Sequence, residues 1–512
     1  AHVLRLKFAL GLFDDPYVDP ARTETTTPER RALARRAAAA GVVLLKNHDG
    51  ALPLRQAPPS IAVIGGDATE GRLGGYSGPG TGTVRILEGI RAGFSRSAVR
   101  YAQGPGRRSP EWTAVPAGAL RLDGAYFTNI DLSGAPALTR RDSVIDFAWT
   151  LGAPGEGISP SWFSARWQGE VVTPAGVTRI GVEGDDGYRL WVDGRLLIDR
   201  WTPGTHRATL AELPRSAMRR HALKLEFHSS VPNPRIRLIW DAGADRHWRQ
   251  RIAEAVAVAR RSSVAIVVAG IEEGEFRDRS SLALPGHQEE LIRAVAATGR
   301  PTVVVLIGGS AITMSRWIDD ADAVLMAWYP GQEGGNALAD VLLGRADPGG
   351  RLPITFPISE GQLPLQYDHR PTGRGDDYLD GTGEPLFPFG FGLSYASFDY
   401  SNLRLLPAEA GTLPLVVQAT VTNRSNRPGD EVVQLYVHDE LATLSRPVMQ
   451  LRGATKLHLA PGESREVSFP LTRDDLAMVG IDGRWVTEPG TFRIMVGASS
   501  KDIRLGTHWT LR

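Results

Sequence analysis

Residues 270–279 read Gly-Ile-Glu-Glu-Gly-Glu-Phe-Arg-Asp-Arg, which puts four carboxylates, two guanidiniums and two glycines into ten positions. The stretch follows the apolar run 264–269 and precedes Leu282-Ala283-Leu284-Pro285-Gly286, where a helical pattern opens. Open α/β sheets bind their ligands at loops of this kind, beyond the carboxyl end of a buried strand. Such a loop can keep one carboxyl group protonated at neutral pH, as a general acid requires. The plain alternative is a solvated, salt-bridged loop, in which Asp278 and Arg279 form a shaping ion pair.

Other residues fit a site at the same edge. Trp328 and Tyr329 end another apolar run and suit either stacking on a ligand or packing between domains. Tyr76 lies in Gly74-Gly75-Tyr76-Ser77-Gly78, after the first buried strand, where it would border a pocket. Glu333 follows Pro330-Gly331 at a helix start, where a carboxylate compensates the helix dipole. His287 and Gln288, in the first turn after Pro285, read as helix-surface residues.

Several chemistries fall away. Zero cysteines rule out disulfides, thiolate metal sites and cysteine nucleophiles. The eleven histidines include no HExxH pair, so neither a metal nor another cofactor is expected. No GxSxG elbow follows a strand. The glycines between Gly65 and Gly75 have neither the GxGxxG nor the GxxxxGK[ST] spacing of nucleotide loops.

A chain of 512 residues exceeds one hydrophobic core and is expected to hold about three or four domains. Hydrophobic residues make up 42%, charged residues 22%, and the net charge is +1. With no basic excess to neutralise phosphates, no nucleic-acid partner is expected. No apolar run reaches the ~18 residues of a membrane span, so no membrane partner is expected either. The compartment stays open, and so does assembly as a homodimer. Near the start, Leu4, Leu6, Phe8, Ala9, Leu10 and Leu12 crowd into a segment too short for a core of its own, which reads as the tail of something larger.

The elements that must hold the acidic loop follow from periodicity. Residues 27–46 predict a helix, with Thr27 as cap and Pro28 in the first turn. Buried strands are predicted at 61–64, 264–269, 302–307 and 323–328, with helices around 246–261, 286–298 and 334–344. This alternation implies a mostly parallel sheet covered on both faces. Residues 118–240 break the pattern with alternating strands and an Asp193-Gly194 hairpin turn, then the α/β pattern resumes. Residues 400–512 read as a small antiparallel sandwich. The expected fold class is therefore multidomain α/β plus all-β: an α/β sandwich, an inserted β-sandwich and a C-terminal β-sandwich.

Several segments, in order, resemble glycoside hydrolase family 3. They are Gly41-Val42-Val43-Leu44-Leu45-Lys46-Asn47, Trp328-Tyr329-Pro330-Gly331-Gln332-Glu333-Gly334-Gly335, Pro348-Gly349-Gly350-Arg351-Leu352-Pro353, and Phe387-Pro388-Phe389-Gly390-Phe391-Gly392-Leu393-Ser394-Tyr395. Gly429-Asp430-Glu431-Val432-Val433-Gln434-Leu435-Tyr436-Val437 resembles that family's fibronectin type III-like domain. Gly184-Asp185-Asp186-Gly187-Tyr188-Arg189-Leu190-Trp191 resembles a protective-antigen-type lectin-like module. The resemblance implies five parts: 1–20, the end of a (β/α)8 barrel and a linker; 21–117 and 241–395, the two parts of an α/β sandwich; 118–240, the inserted module; and 396–512, the fibronectin III-like domain.

The resemblance also implies an activity: retaining, exo-acting β-glycoside hydrolysis, β-glucosidase-like, on small β-glycosides or oligosaccharides. Its nucleophilic aspartate would stand in a barrel of which only the last helix is expected here, leaving this chain inactive alone. Counting back three residues from Asp278-Arg279, as the family's Glu-Gly-x-Asp-Arg pattern directs, gives Glu275 as acid/base, with Glu273 as runner-up. The rival reading is a non-catalytic carbohydrate-binding protein that uses the inserted module. There Asp185 and Asp186 would take up calcium and sugar or would simply hold a hairpin edge.

Overall fold

The computed structural model describes all residues except 1, 18–25, 55–56, 76, 79, 108–111, 150–151, 205, 214–218, 231–233, 244–246, 275–277, 373–376, 408 and 410. The chain divides into two compact units, Ala1–Arg108 with Trp248–Arg512, and Ser109–His247.

The first unit is built on a six-stranded sheet in the order Val43–Asn47, Ala323–Met326, Thr302–Ile307, Val264–Gly270, Ser60–Ile64, Ala98–Ala102. Only the first pairing is antiparallel. Side chains alternate across each strand, so two apolar layers form. Ala265 and Val267 meet Ala255, Leu291, Ile292 and Val295 on one face. Ile266 and Val268 meet Ile86, Ile90, Leu338 and Val341 on the other. Strands buried on both faces need continuous apolar runs, and Val264–Gly270 is buried at every position.

The expected helix over 27–46 is corrected to Pro28–Gly41, capped by Thr27, whose hydroxyl accepts from the Arg30 amide at 3.3 Å. Glycine weakens the helix end, and the Val42-Val43-Leu44-Leu45 run gains more by closing the sheet edge than by a further helical turn. The helix Ile86–Gly93 and the half-exposed edge strand Ala98–Ala102 had no legible signal.

The helices Ile86–Gly93 and Gly334–Leu343 pack backbone on backbone. A Cβ on Gly89 would lie 2.0 Å from the Gly335 carbonyl carbon and oxygen.

In Ser109–His247 two antiparallel sheets share one core of Tyr126, Trp167, Tyr188, Leu225 and Leu238. Asp193 and Gly194 turn the hairpin Gly187–Val192/Arg195–Arg200 with φ of 50° and 75°, the conformation a two-residue hairpin loop favours. Asp186 is buried and its Oδ2 accepts from the Ser230 amide at 2.6 Å. Asp185 accepts from the Arg235 amide at 2.9 Å and faces His206 at 3.0 Å. Both aspartates hold backbone within this unit, but they lie where the chain passes from one sheet to the other, so the expected hairpin edge is corrected to a crossover between sheets.

Seven of the nine C-terminal strands form a three- and a four-stranded sheet around Val417, Val433, Leu435, Phe469 and Ile494, and the short strands Met478–Val479 and Trp485–Val486 pair with each other. A buried polar seam joins this sandwich to the α/β part. Asp347 accepts from Ser394 Oγ at 2.7 Å and from the Tyr395 and Asp430 amides at 2.9 and 3.0 Å. Arg351 donates to Glu431 at 2.9 Å with both side chains buried.

Two outcomes are expected for the 512-residue chain. Gly89→Ala gains about 1 kcal/mol of helix propensity, but the clash of two unyielding backbones costs about 3 kcal/mol. Its urea midpoint should therefore fall; an unchanged midpoint would refute the close packing. The second outcome concerns pH. Burial holds the Glu431 carboxyl above the usual carboxylate range, with Arg351 opposing. A group whose pKa is higher folded than unfolded adds stability at low pH and loses it as pH rises through the folded pKa. Removing the guanidinium in Arg351→Met raises that pKa further. The loss, about 3–5 kcal/mol at neutral pH, should shrink on acidification. Denaturation midpoints that drop equally at all pH values would refute this account.

Candidate active site

The central strands Ser60–Ile64 and Val264–Gly270 lie side by side, and their crossovers leave in opposite directions. The first leads to the helix Ile86–Gly93 on one face, the second to the helix Gln288–Ala296 on the other. Diverging crossovers open a crevice beyond the carboxyl ends of the two strands. Residues 70–75, Ser77 and Gly78 of the first loop and 272–274 of the second line a cavity of about 540 Å³ there, together with Arg107 and Tyr329. That volume lies within the range of small-molecule sites.

Gly65 starts the first loop at φ 116°, where a Cβ would stand 2.0 Å from the Val268 carbonyl oxygen. The chain then turns through Gly66–Thr69 and buries Asp67. Arg72 and Arg107 both donate to Asp67 Oδ1. Burial raises the Asp67 carboxyl above its ordinary range, and Arg107 and Arg72 oppose that rise. The remaining arms of the guanidiniums reach into the site: Arg107 to Glu70 at 2.7 Å, and Arg72 to the Ile271 carbonyl at 2.5 Å. A carboxylate beneath the floor thereby aims two cations at the acidic loop.

The second loop is tied to three strand ends. Gly270 exchanges hydrogen bonds with the buried Gln288 side chain, at 2.8 Å from its amide and 2.9 Å to its carbonyl. Glu273 Oε2 accepts from the Gly309 amide at 2.6 Å and the Tyr329 hydroxyl at 3.1 Å. Its Oε1 accepts from Ser310 Oγ. Arg279 stands 3.9 Å from Glu273 and donates to Ser310 Oγ at 2.7 Å and the Ala311 carbonyl at 3.1 Å. Burial, then the Glu273 charge, pushes the Tyr329 phenol above its usual range, which keeps it a donor.

The sequence-based candidates are distributed unevenly. Glu273 lines the cavity. Glu275 and Tyr76 lie outside the described residues. Trp328, at φ 55°, packs edge-on to Phe356 with centroids 6.2 Å apart, while its neighbour Tyr329 lines the cavity. Two readings are corrected. Gln288 is a buried strap on the strand end, because its amide matches the free backbone groups of Gly270. His287 stays at the helix surface as expected, 3.2 Å from Glu290 and stacked on Trp248 at 3.8 Å. Arg279 turns inward to Glu273 and Ser310, leaving Asp278 in water. Glu333 precedes the helix Gly334–Leu343 as expected, paired with Arg31 at 2.5 Å and Asn336 at 2.7 Å.

Sequence reasoning passed over Asp67, Arg72, Arg107 and Ser310. The only available signal was Gly308-Gly309-Ser310 directly after an apolar run; the arginines converge only through the fold. Among the described residues no group of three or more His, Cys, Asp or Glu is arranged to hold a metal ion.

Residues 42–395 match the glycosyl hydrolase family 3 C-terminal domain, and residues 431–500 match the fibronectin type III-like domain. The chain is 36% identical to a β-glucosidase of Rhizobium radiobacter, over 98% of this chain and 65% of that protein. It is 30% identical to a xylan 1,4-β-xylosidase of Xylanibacter ruminicola, over 98% of this chain and 61% of that protein. Among solved structures, a β-glucosidase from Erythrobacter marinus superposes with a TM-score of 0.68 at 30% identity, covering 99% of this chain and 54% of that one. The chain thus spans between about half and two thirds of the length of these relatives. On the family match and the fold together, this chain belongs to glycosyl hydrolase family 3.

Proposed function

We propose that this chain is the non-barrel part of a retaining, exo-acting β-glycosidase, β-glucosidase-like, that removes terminal non-reducing β-D-glucosyl residues from small glycosides or oligosaccharides. Its share of the reaction is general acid/base catalysis by Glu275. The supporting observation is the clamped loop at the sheet's switch point: Glu273 spends both oxygens on protein donors, which leaves the next carboxylate along the loop for the proton transfer. The nucleophilic aspartate belongs to a (β/α)8 barrel, of which residues 1–20 are the end. In this reading the α/β sandwich comprises 21–108 and 248–395, with a protective-antigen-type module over 109–247 rather than 118–240, because Thr113–Ala114 pairs with Arg235–Trp240 within that unit, and the fibronectin III-like domain at 396–512.

Retention needs two carboxyl groups about 5–5.5 Å apart. In the first half-reaction Glu275 gives its proton to the leaving oxygen as the nucleophile attacks the anomeric carbon. In the second, the resulting carboxylate takes a proton from water, which attacks the glycosyl–enzyme bond. Arg72 and Arg107 bias the charge around the loop without joining either transfer. The carbohydrate-binding reading has less support, since Asp185 and Asp186 already hold backbone within their own module.

The assignment is tested by Glu275→Gln in the enzyme that carries this chain together with its barrel. Activity on glycosides with poor leaving groups should fall about 10²–10⁴-fold, with a much smaller fall on dinitrophenyl glycosides, and azide should restore turnover. Full activity on alkyl glycosides would end the assignment. A separate expectation is that the purified 512-residue chain, lacking the nucleophile, releases no nitrophenol from nitrophenyl β-glucoside. Steady turnover by that chain would contradict the division of labour.

A further inference from the structure

We infer that Glu273 is a positioning residue: gripped by Gly309, Ser310 and Tyr329, it fixes the segment that carries the acid/base and transfers no proton to substrate itself. The inference rests on the reading of Glu275 as acid/base. Three protein donors meet its two oxygens. Charge-assisted bonds of this kind are roughly twice as strong as neutral ones.

The backbone on its N-terminal side is fixed independently. The Ile271 amide donates to the Ile307 carbonyl at 2.9 Å, and the Ile271 carbonyl accepts from Arg72. Three glycines clear the space around it. A Cβ on Gly308 would stand 2.2 Å from Ile271 Cγ1, one on Gly75 would stand 2.5 Å from the Glu273 carbonyl oxygen, and one on Gly309 would stand 2.8 Å from Glu273 Oε2. Glu273 is therefore a fixed point two residues before Glu275, which is at most ~7 Å further along the chain. A misplacement of about 1 Å at a reacting group is enough to cost ~10²-fold in rate.

The test compares Glu273→Gln, Tyr329→Phe, the double variant and Glu275→Gln in the enzyme with its barrel. Glu273→Gln should lower kcat about 10–100-fold on alkyl β-glycosides, with KM unchanged and a much smaller loss on dinitrophenyl glycosides. Azide should restore Glu275→Gln but not Glu273→Gln. The double variant should lose no more than Glu273→Gln alone, because both changes break one unit. In the 512-residue chain, amide hydrogen exchange at 271–274 should quicken in Glu273→Gln while the global unfolding midpoint stays put.

Wild-type rates, or unchanged exchange, in Glu273→Gln would overturn the inference and leave the Glu275 reading standing. Azide rescue of Glu273→Gln would make Glu273 itself the acid/base and remove both. If Glu275→Gln alone behaved as wild type, the Glu275 reading would fall while the exchange result still decided the clamp.

Discussion

Two neighbouring parallel strands whose crossovers part to opposite faces govern the rest of this architecture. Were both crossovers on one face, the loops 65–78 and 271–274 would have helices between them. Because they part, the loops converge over the ends of Ser60–Ile64 and Val264–Gly270 and share a cavity. The convergence is close enough that Gly65 accommodates no side chain against Val268. Much of the local sequence answers to this constraint: glycines where backbones approach, Gln288 where a strand end needs partners, and Asp67 where two guanidiniums must stop.

Buried charges in this fold serve geometry more than stability. Taking ions out of water costs several kcal/mol each, so a buried pair is seldom a net gain over apolar packing. Asp67 with Arg107, Arg351 with Glu431, and the partly buried Glu273 with its donors each join segments distant in sequence: 67 to 107, 351 to 431, 273 to 310 and 329. An apolar substitute could fill the same volume but would not dictate direction. For a proton donor that must meet an attacking group at a set distance, direction is the quantity that matters.

The sequence carried the sheet well and the site only in part. Strands buried on both faces leave unbroken apolar runs, so Val264–Gly270 and Thr302–Ile307 were legible almost to the residue. Val43–Asn47 was absorbed into the preceding helix, because an alanine-rich helix running into an apolar strand leaves no break in hydrophobicity. Ala98–Ala102 was silent because an edge strand alternates and half of it faces water. The acidic loop announced itself through composition. Its anchors did not, since nothing in Asp67, Arg72 or Ser310 taken singly differs from any surface polar residue. Gln288 misled for the same reason: helix periodicity assigns a face, and it cannot show that a strand end lies in front of that face.

The loop also shows why counting carboxylates cannot assign their roles. Glu272, Glu273 and Glu275 are chemically alike and lie within four residues of one another, yet an acid/base and an anchor need opposite surroundings. The anchor wants every lone pair met by a fixed donor; the acid/base must keep an oxygen open to a substrate that comes and goes. With a spacing of two, an extended stretch would direct Glu273 and Glu275 to the same side, so alternation along a strand could not give them separate roles.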